Sequence, residues 1–449
     1  MKDISKEERP AAVAGMPKQA GEARTRERLK WVEPSVWTER MLTALEEGVK
    51  GGKWFSLMDK VYLGRNLAAA WEKVKANKGS AGIDKQSIEA FQAKEERYLE
   101  ELESKLREGR YEAKPVKRVW IPKAGSKGKR PLGIPVVKDR VVQTALRNVL
   151  EPIYEKTFAE HSYGFRPGRG CKDALRRVEA GFLAGKTWVV DADIESYFDS
   201  IPHDKLMEEI KEQVADGRVL RMIEGYLKQG VMDGLEHWEP EKGTPQGAVI
   251  SPLLANIYLN RIDHEMSRNG YEMVRYADDF VILCSTEEEA REALTEVSAR
   301  IEERGLKLHP EKTRIVDVKA GGGFDFLGYH FEGDTRWPRK KSMDRLKDTI
   351  RGKTKRTSGK SMKCIIEDVN QSLRGWFEYF RHSNKRTFRR TDGWIRMRLR
   401  SILRKRQHRK GIGCGYDHRR WPNAYFAGLG LFTLTTAHEL ACQFRRGKH

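Results

Sequence analysis

The chain has 449 residues, 39% of them hydrophobic, and a formal net charge of +21; it is too long for one small domain and apolar enough to fill a core. A chain this basic meets a polyanion, either nucleic acid or an acidic membrane surface, and it holds no apolar run of about 18 residues that would cross a bilayer as a helix. The charge is segregated, with 31 Lys and Arg against 8 Asp and Glu from Arg336 to His449 but 55 against 57 in residues 1–335, which fits a nucleic-acid surface better than a solvated face.

The first twenty residues, MKDISKEERPAAVAGMPKQA, lack the apolar centre of a signal peptide, and residues 1–56 read as a polar N-terminal extension. From Leu57 to Leu106 the pattern is helical, broken by a loop at Asn77-Lys78-Gly79-Ser80-Ala81-Gly82. Val116 to Pro135 predicts a β-hairpin with a basic turn over Ala124 to Lys129, and Lys138 to Tyr154 a helix. Trp188 to Asp193 predicts a buried strand, and residues 202–229 a helical stretch. A strand pair brackets Ala277-Asp278-Asp279, and an amphipathic helix follows over Glu287 to Arg304. This mixture to about Phe331 predicts an α+β or α/β domain. From Lys340 onward the signals are helical. The five cysteines, Cys171, Cys284, Cys364, Cys414 and Cys442, form no Cys-x-x-Cys pair; that argues against a zinc site and fits a reducing cytoplasm.

Two adjacent acids between apolar strands repel each other, and a divalent cation relieves the repulsion. Asp193 closes another apolar run 85 residues before Asp278. Three carboxylates at one sheet edge would hold two Mg²⁺ ions, which prefer hard oxygen ligands and would clamp an in-line phosphoryl transfer. Taken alone, Asp278 and Asp279 fit an acidic surface turn equally well.

Longer motifs decide between these readings. Tyr276-Ala277-Asp278-Asp279 resembles the polymerase signature of reverse transcriptases, and Asp193-Ile194-Glu195-Ser196-Tyr197-Phe198-Asp199 resembles their first catalytic-aspartate motif. Between them lie Gly243-Thr244-Pro245-Gln246-Gly247 and Ser251-Pro252-Leu253-Leu254-Ala255-Asn256-Ile257, in the family's order. Arg130-Pro131-Leu132-Gly133-Ile134-Pro135, Ser162-Tyr163-Gly164-Phe165-Arg166-Pro167-Gly168 and Phe326-Leu327-Gly328-Tyr329 point to the group II intron branch. The resemblance implies an α+β right-hand polymerase, with fingers and palm over residues 57–335, an all-helical thumb and maturase domain over 336–410, and a short tail over 411–449 that would be a remnant of a DNA-binding segment. It implies an RNA-directed DNA polymerase with Asp193, Asp278 and Asp279 catalytic. Asp193, Ile194 and Asp278 would hold two Mg²⁺ ions, for which Mn²⁺ can substitute.

The same resemblance places Phe198 under the incoming sugar, Gln246 and Gly247 in the nucleotide pocket, and Lys123 (or Lys127 or Lys129) with Arg130 on the triphosphate. Asn77, Lys78 and Gly79 resemble a loop that lids the template–primer. Leu373-Arg374-Gly375-Trp376-Phe377-Glu378-Tyr379-Phe380 resembles the maturase thumb. Beyond resemblance, Arg396, Arg400 and Arg404 fall on one helical ridge beside the apolar face of Ile395, Leu399, Ile402 and Leu403. That ridge is expected to contact RNA phosphates. One or two of Trp376, Tyr379, Phe388 and Trp394 would stack on unpaired bases. Expected partners are intron RNA, an RNA template with a DNA primer, a DNA target and dNTPs, in the cytoplasm. No His/Cys ligand spacing for the metal-dependent nuclease of fuller family members is present.

Overall fold

Apolar residues recurring every three to four positions shape the first helices. The computed structural model describes residues 29–49, 51–122, 128–411 and 415–446. Its opening helices are α1 (Glu39–Glu47), α2 (Met58–Val61), α3 (Gly64–Asn77), α4 (Ile88–Gln92) and α5 (Glu95–Arg107). The expected hairpin follows as β1 (Val116–Pro122) and β2 (Lys129–Ile134), antiparallel with Arg130 opposite Ile121. Then come α6 (Val137–Glu155), α7 (Cys171–Leu183), β3 (Trp188–Asp193) and the single turn α8 (Tyr197–Ser200).

The helical stretch expected over 202–229 is two helices, α9 (His203–Gln213) and α10 (Gly217–Leu227). Asp216 makes the break. Its carboxylate accepts from Arg218 N and Val219 N to cap α10, and from Leu57 N and Met58 N at the start of α2. Such capping competes with continuation of the preceding helix.

Next come β4 (Val231–Asp233), β5 (Glu236–Trp238), α11 (Ser251–Arg268), β6 (Glu272–Tyr276), β7 (Asp279–Cys284), α12 (Glu287–Glu303) and β8 (Arg314–Asp317). Strands β6-β7-β3-β8 form one sheet and β2-β1-β4-β5 another. The first is covered on both faces. Val189, Val274, Val281 and Leu283 enter one core, shared with Leu175 of α7. The intervening Val190, Ala192, Phe280 and Ile282 enter the larger core, shared with α6, α11 and α12. A strand buried on both faces reads as a continuous apolar run, which is why β3 and β7 were legible.

The first described residues join that larger core. Val32, Val36, Trp37 and Leu45 are buried in it, and Trp37 Nε1 donates to the Asn148 carbonyl at 2.9 Å. The polar reading of residues 1–56 missed these few anchors because they are diluted among charges.

A small sheet of β9 (Gly323–Phe326), β10 (Tyr329–Glu332) and β11 (Thr335–Pro338) leads to the helices α13 (Lys340–Lys353), α14 (Met362–Phe380), α15 (Lys385–Arg406), α16 (Gly415–Arg420), α17 (Asn423–Gly428) and α18 (Leu434–Arg446). They enclose a separate core that includes Ile350, Val369, Phe388, Leu399 and Phe426.

This packing corrects the expected arginine ridge on α15. Arg400 is 2% exposed, and its guanidinium donates to the Trp421 carbonyl and Asn423 Oδ1, both at 2.9 Å. Arg404 donates to the Lys410 carbonyl at 2.7 Å and to Asp417 Oδ2 at 2.6 Å. Residues after 414 cover that flank of the helix, and only Arg396 of the three is left on the side facing the groove beside Lys385 and Arg389. Phe388 is fully buried and is core, not a stacking platform.

Arg400→Gln should therefore act on stability. Loss of two charge-assisted hydrogen bonds predicts about 1.5–3 kcal/mol of destabilisation, seen as a lowered thermal melt with an unchanged salt dependence of RNA binding. An unchanged melt with a shallower salt slope would return Arg400 to the RNA surface.

Candidate functional site

Strand periodicity of two puts Asp191 and Asp193 on the same face of β3 as Val189. Register then places Asp193 directly opposite Asp279 on β7, and Asp191 opposite Arg314 on β8. Asp278 sits at the β6–β7 turn, whose Ala277 has φ of 61°. Like charges directly opposite on neighbouring strands repel, and the titration of these groups reflects it. Burial first, then Asp191, Asp193 and Asp278, push the Asp279 carboxyl up to about 7. Burial, then Asp193, also raise Asp278, while Lys312 and Arg275 work against the rise. Burial lifts Asp191 to about 6 in spite of its 3.1 Å ion pair with Arg314. The Lys312 ammonium rests on Asp193.

These groups fit a hard divalent cation. Ile194 pairs with Leu308 through bonds made by its neighbours, Glu195 N to the Lys307 carbonyl and His309 N to the Asp193 carbonyl, each 2.8 Å. The Ile194 carbonyl takes no part in that pairing and lies in the chain between Asp193 and the turn at Ser196. Among the described residues no group of three or more His, Cys, Asp or Glu is arranged as a metal cluster. Asp193 and Asp278 offer carboxylate oxygens and Ile194 a backbone oxygen, an all-oxygen set of the kind that suits Mg²⁺ or Mn²⁺.

A buried bracket holds the turn from below. Arg275 is 1% exposed; its guanidinium forks onto Asp263 of α11 at 2.5–3.0 Å and donates to Asn256 Oδ1 at 3.0 Å and to the Ala277 carbonyl at 2.9 Å. Asn256 in turn donates to the Gly164 carbonyl at 2.7 Å. A Cβ on Gly164 would collide with the Ala277 backbone, so glycine is required where that loop crosses the turn.

The loop over 243–249 joins this sheet to the hairpin sheet. Thr244 N donates to the Phe198 carbonyl at 2.6 Å, Gln246 Nε2 to Asp199 Oδ2 at 3.0 Å, and Gly133 N to the Gln246 carbonyl at 2.6 Å. Gly247 has φ of 108°, and a Cβ there would lie 2.5 Å from the Gly133 carbonyl oxygen. Phe198 is half-buried against Tyr197, with ring centroids 5.5 Å apart. Arg130 is exposed on β2; Lys123 and Lys127 lie outside the described residues.

Asn77 ends α3 and Lys78 and Gly79 follow in a loop; all three are exposed, and Arg140 ties the loop down by donating to the Ser80 carbonyl. Sequence reading missed Lys312, Arg314 and the Arg275 bracket. Their partners are distant in sequence, and no local pattern marks an Arg that points into a core.

A carboxylate-edged antiparallel sheet, a hairpin sheet joined to it and a helical domain docked behind it define a right-hand, template-copying polymerase by class. The profile for reverse transcriptase (RNA-dependent DNA polymerase) matches residues 121–331, and that for the group II intron maturase-specific domain matches residues 343–421. Protein YkfC of Escherichia coli K12 is 35% identical over 291 residues, which cover 56% of this chain and 74% of that protein. The group II intron-encoded protein LtrA of Lactococcus lactis subsp. cremoris is 38% identical over 196 residues, or 43% of this chain and 32% of that protein. A solved Cas6-RT-Cas1–Cas2 assembly superposes loosely, with a TM-score of 0.35 at 24% identity over 55% of this chain and 42% of that one. The chain belongs to the reverse transcriptases of group II introns, which join an RNA-directed DNA polymerase to a maturase domain and use divalent metal ions. The matched stretch spans about a third of LtrA. No helix among the described residues is long and apolar enough to cross a membrane.

Proposed function

We propose that this chain copies an RNA template into DNA by adding dNMP units to a DNA primer, and that its helical C-terminal part binds the intron RNA as a splicing maturase, with a DNA target as the eventual acceptor. The observation that carries the polymerase reading is the cross-strand pair of Asp193 and Asp279, with Asp278 one residue away at the turn. In this reading Asp193, the Ile194 carbonyl and Asp278 hold two Mg²⁺ ions, for which Mn²⁺ can substitute. Bound there, such ions would supply charge stabilisation to an in-line phosphoryl transfer.

The chain's own groups do the rest. Asp279 stands beside the metal ligands, its carboxyl pushed up to about 7 by burial and by the neighbouring carboxylates. Lys312 offsets charge at Asp193. Phe198 crowds the 2′-hydroxyl position of the incoming sugar and so selects dNTP. Asp199 fixes Gln246, which with Gly247 shapes the nucleotide pocket. Lys123 and Arg130 of the fingers hairpin grip the triphosphate, and Asn77, Lys78 and Gly79 meet the template end. A reducing cytoplasm is the proposed setting, given five scattered cysteines without a zinc motif.

The purified chain should incorporate dTTP on poly(rA)/oligo(dT) with Mg²⁺. Chelation by EDTA should stop incorporation, and excess Mg²⁺ should restore it. A protein that binds intron RNA but extends no primer with either metal would be an RNA-binding splicing factor, and the polymerase reading would fall.

A further inference from the structure

We infer that the C-terminal domain carries a pocket for an unpaired nucleobase of RNA, on the flank of α13 turned away from the polymerase site; the inference rests on the maturase reading above. The cavity, about 590 Å³, opens between β11 and the helices α13 and α15, and its walls include Trp337 and Trp394. Both tryptophans are half-buried, so each keeps some ring surface toward the cavity. Cationic and aromatic groups lie against both. Arg351 and Arg398 lie 5.9 and 5.6 Å from the Trp394 ring, and the His330 ring is 5.0 Å from Trp337.

Lys347, Arg386 and Arg390 also line the cavity. Among the described residues none of the three is in an ion pair, while acidic side chains are missing from the lining altogether. Aromatic walls with unpaired cations at hand are the chemistry of base stacking combined with phosphate neutralisation. A peptide ligand of matching charge would need acidic side chains only, and would leave the tryptophans without purpose. The domain's excess of 31 basic over 8 acidic residues favours the polyanion.

Position separates this pocket from the template–primer path. Met343 and Lys347 of α13 face it, whereas Ser342, Arg345, Leu346 and Thr349 face a different cavity that reaches Asp279. At 3.6 residues per turn those two sets lie on opposing flanks of the helix. A nucleotide seated beside Trp337 and Trp394 is therefore not the strand being copied.

The test uses the full chain with poly(rA)/oligo(dT) in excess to occupy the polymerase cleft. A short RNA oligonucleotide bearing 5-iodouridine is added, irradiated, and its crosslinks mapped by mass spectrometry. Adducts are expected on Trp337 or Trp394, and adducts confined to other residues overturn the proposal. A second measurement does not depend on tryptophan replacement. The triple variant Lys347→Gln, Arg386→Gln, Arg390→Gln should bind the same RNA with a slope of log K against log salt shallower by roughly 2, from about 0.7 per lost phosphate contact on single strands. Trp337→Ala should weaken binding about fivefold to a hundredfold, the loss expected of one base stack. Primer extension at saturating template should be unchanged in the triple variant. Normal extension with unaltered RNA binding refutes the pocket and leaves the polymerase reading intact. A wild-type chain that extends no primer refutes the polymerase reading, while the crosslinks still judge the pocket.

Discussion

Asp278→Asn should lower dTTP incorporation on poly(rA)/oligo(dT) by about a thousandfold, and Asp193→Asn by a similar factor. Each replaces an anionic oxygen by a neutral amide at the proposed metal edge, and metal charge stabilisation is worth several kcal/mol, or roughly a tenfold rate loss for every 1.4 kcal/mol. Stability should move the other way or not at all. Burial and the Asp193 charge both disfavour the ionised form of Asp278, so an amide relieves repulsion at a crowded edge. The expected pattern is a melt equal to or above wild type with extension almost gone. Extension within a few fold of wild type by either variant would remove that residue from the metal set.

Arg275→Met should be the most destabilising single change in the palm, at about 3–5 kcal/mol. Asp263 is 6% exposed, and its fork from Arg275 is its charge partner in the core; a methionine would leave a buried carboxylate uncompensated. The variant also frees the Ala277 carbonyl beside Asp278, so residual folded protein should extend primers more slowly. The double variant Arg275→Met, Asp263→Asn should recover part of the stability, because the orphaned charge is gone. Urea unfolding followed by tryptophan fluorescence gives the comparison. A loss under about 1 kcal/mol for Arg275→Met would mean that the palm tolerates the broken bracket and that the fork does little for the turn.

These two expectations differ in how visible their residues were beforehand. Asp193, Asp278 and Asp279 border apolar runs, but the runs alone left an acidic surface turn equally open, and the longer motifs made the acids legible. Family motifs around them, from Tyr197 and Phe198 to Gln246, supplied the roles. Arg275 was invisible. It sits within the run Met273 to Tyr276, where a strand predicts a side chain pointing out, and only the fold brings Asp263 and Asn256 of α11 beneath it. Lys312 and Arg314 were missed for the same reason, since their partners Asp193 and Asp191 lie over a hundred residues away.

The helical reading of the last quarter held, with no strand after Pro338 among the described residues. Its surface did not follow from that reading. Helical periodicity correctly assigned Ile395, Leu399 and Ile402 to a core, but it treats every other face as solvent. A second layer, residues 415 onward, covers the Arg400 side, and a long arginine buries its stem readily while its guanidinium finds carbonyl and carboxylate partners. The sequence by itself determined the class of the protein, the buried central strands β3, β6 and β7, and the three acids at their ends, because these depend on local periodicity and contiguous motifs. The tertiary structure alone decided which arginines serve packing and which stay at the surface, because burial is set by whatever element folds over a face, and spacing within one helix carries no information about that neighbour.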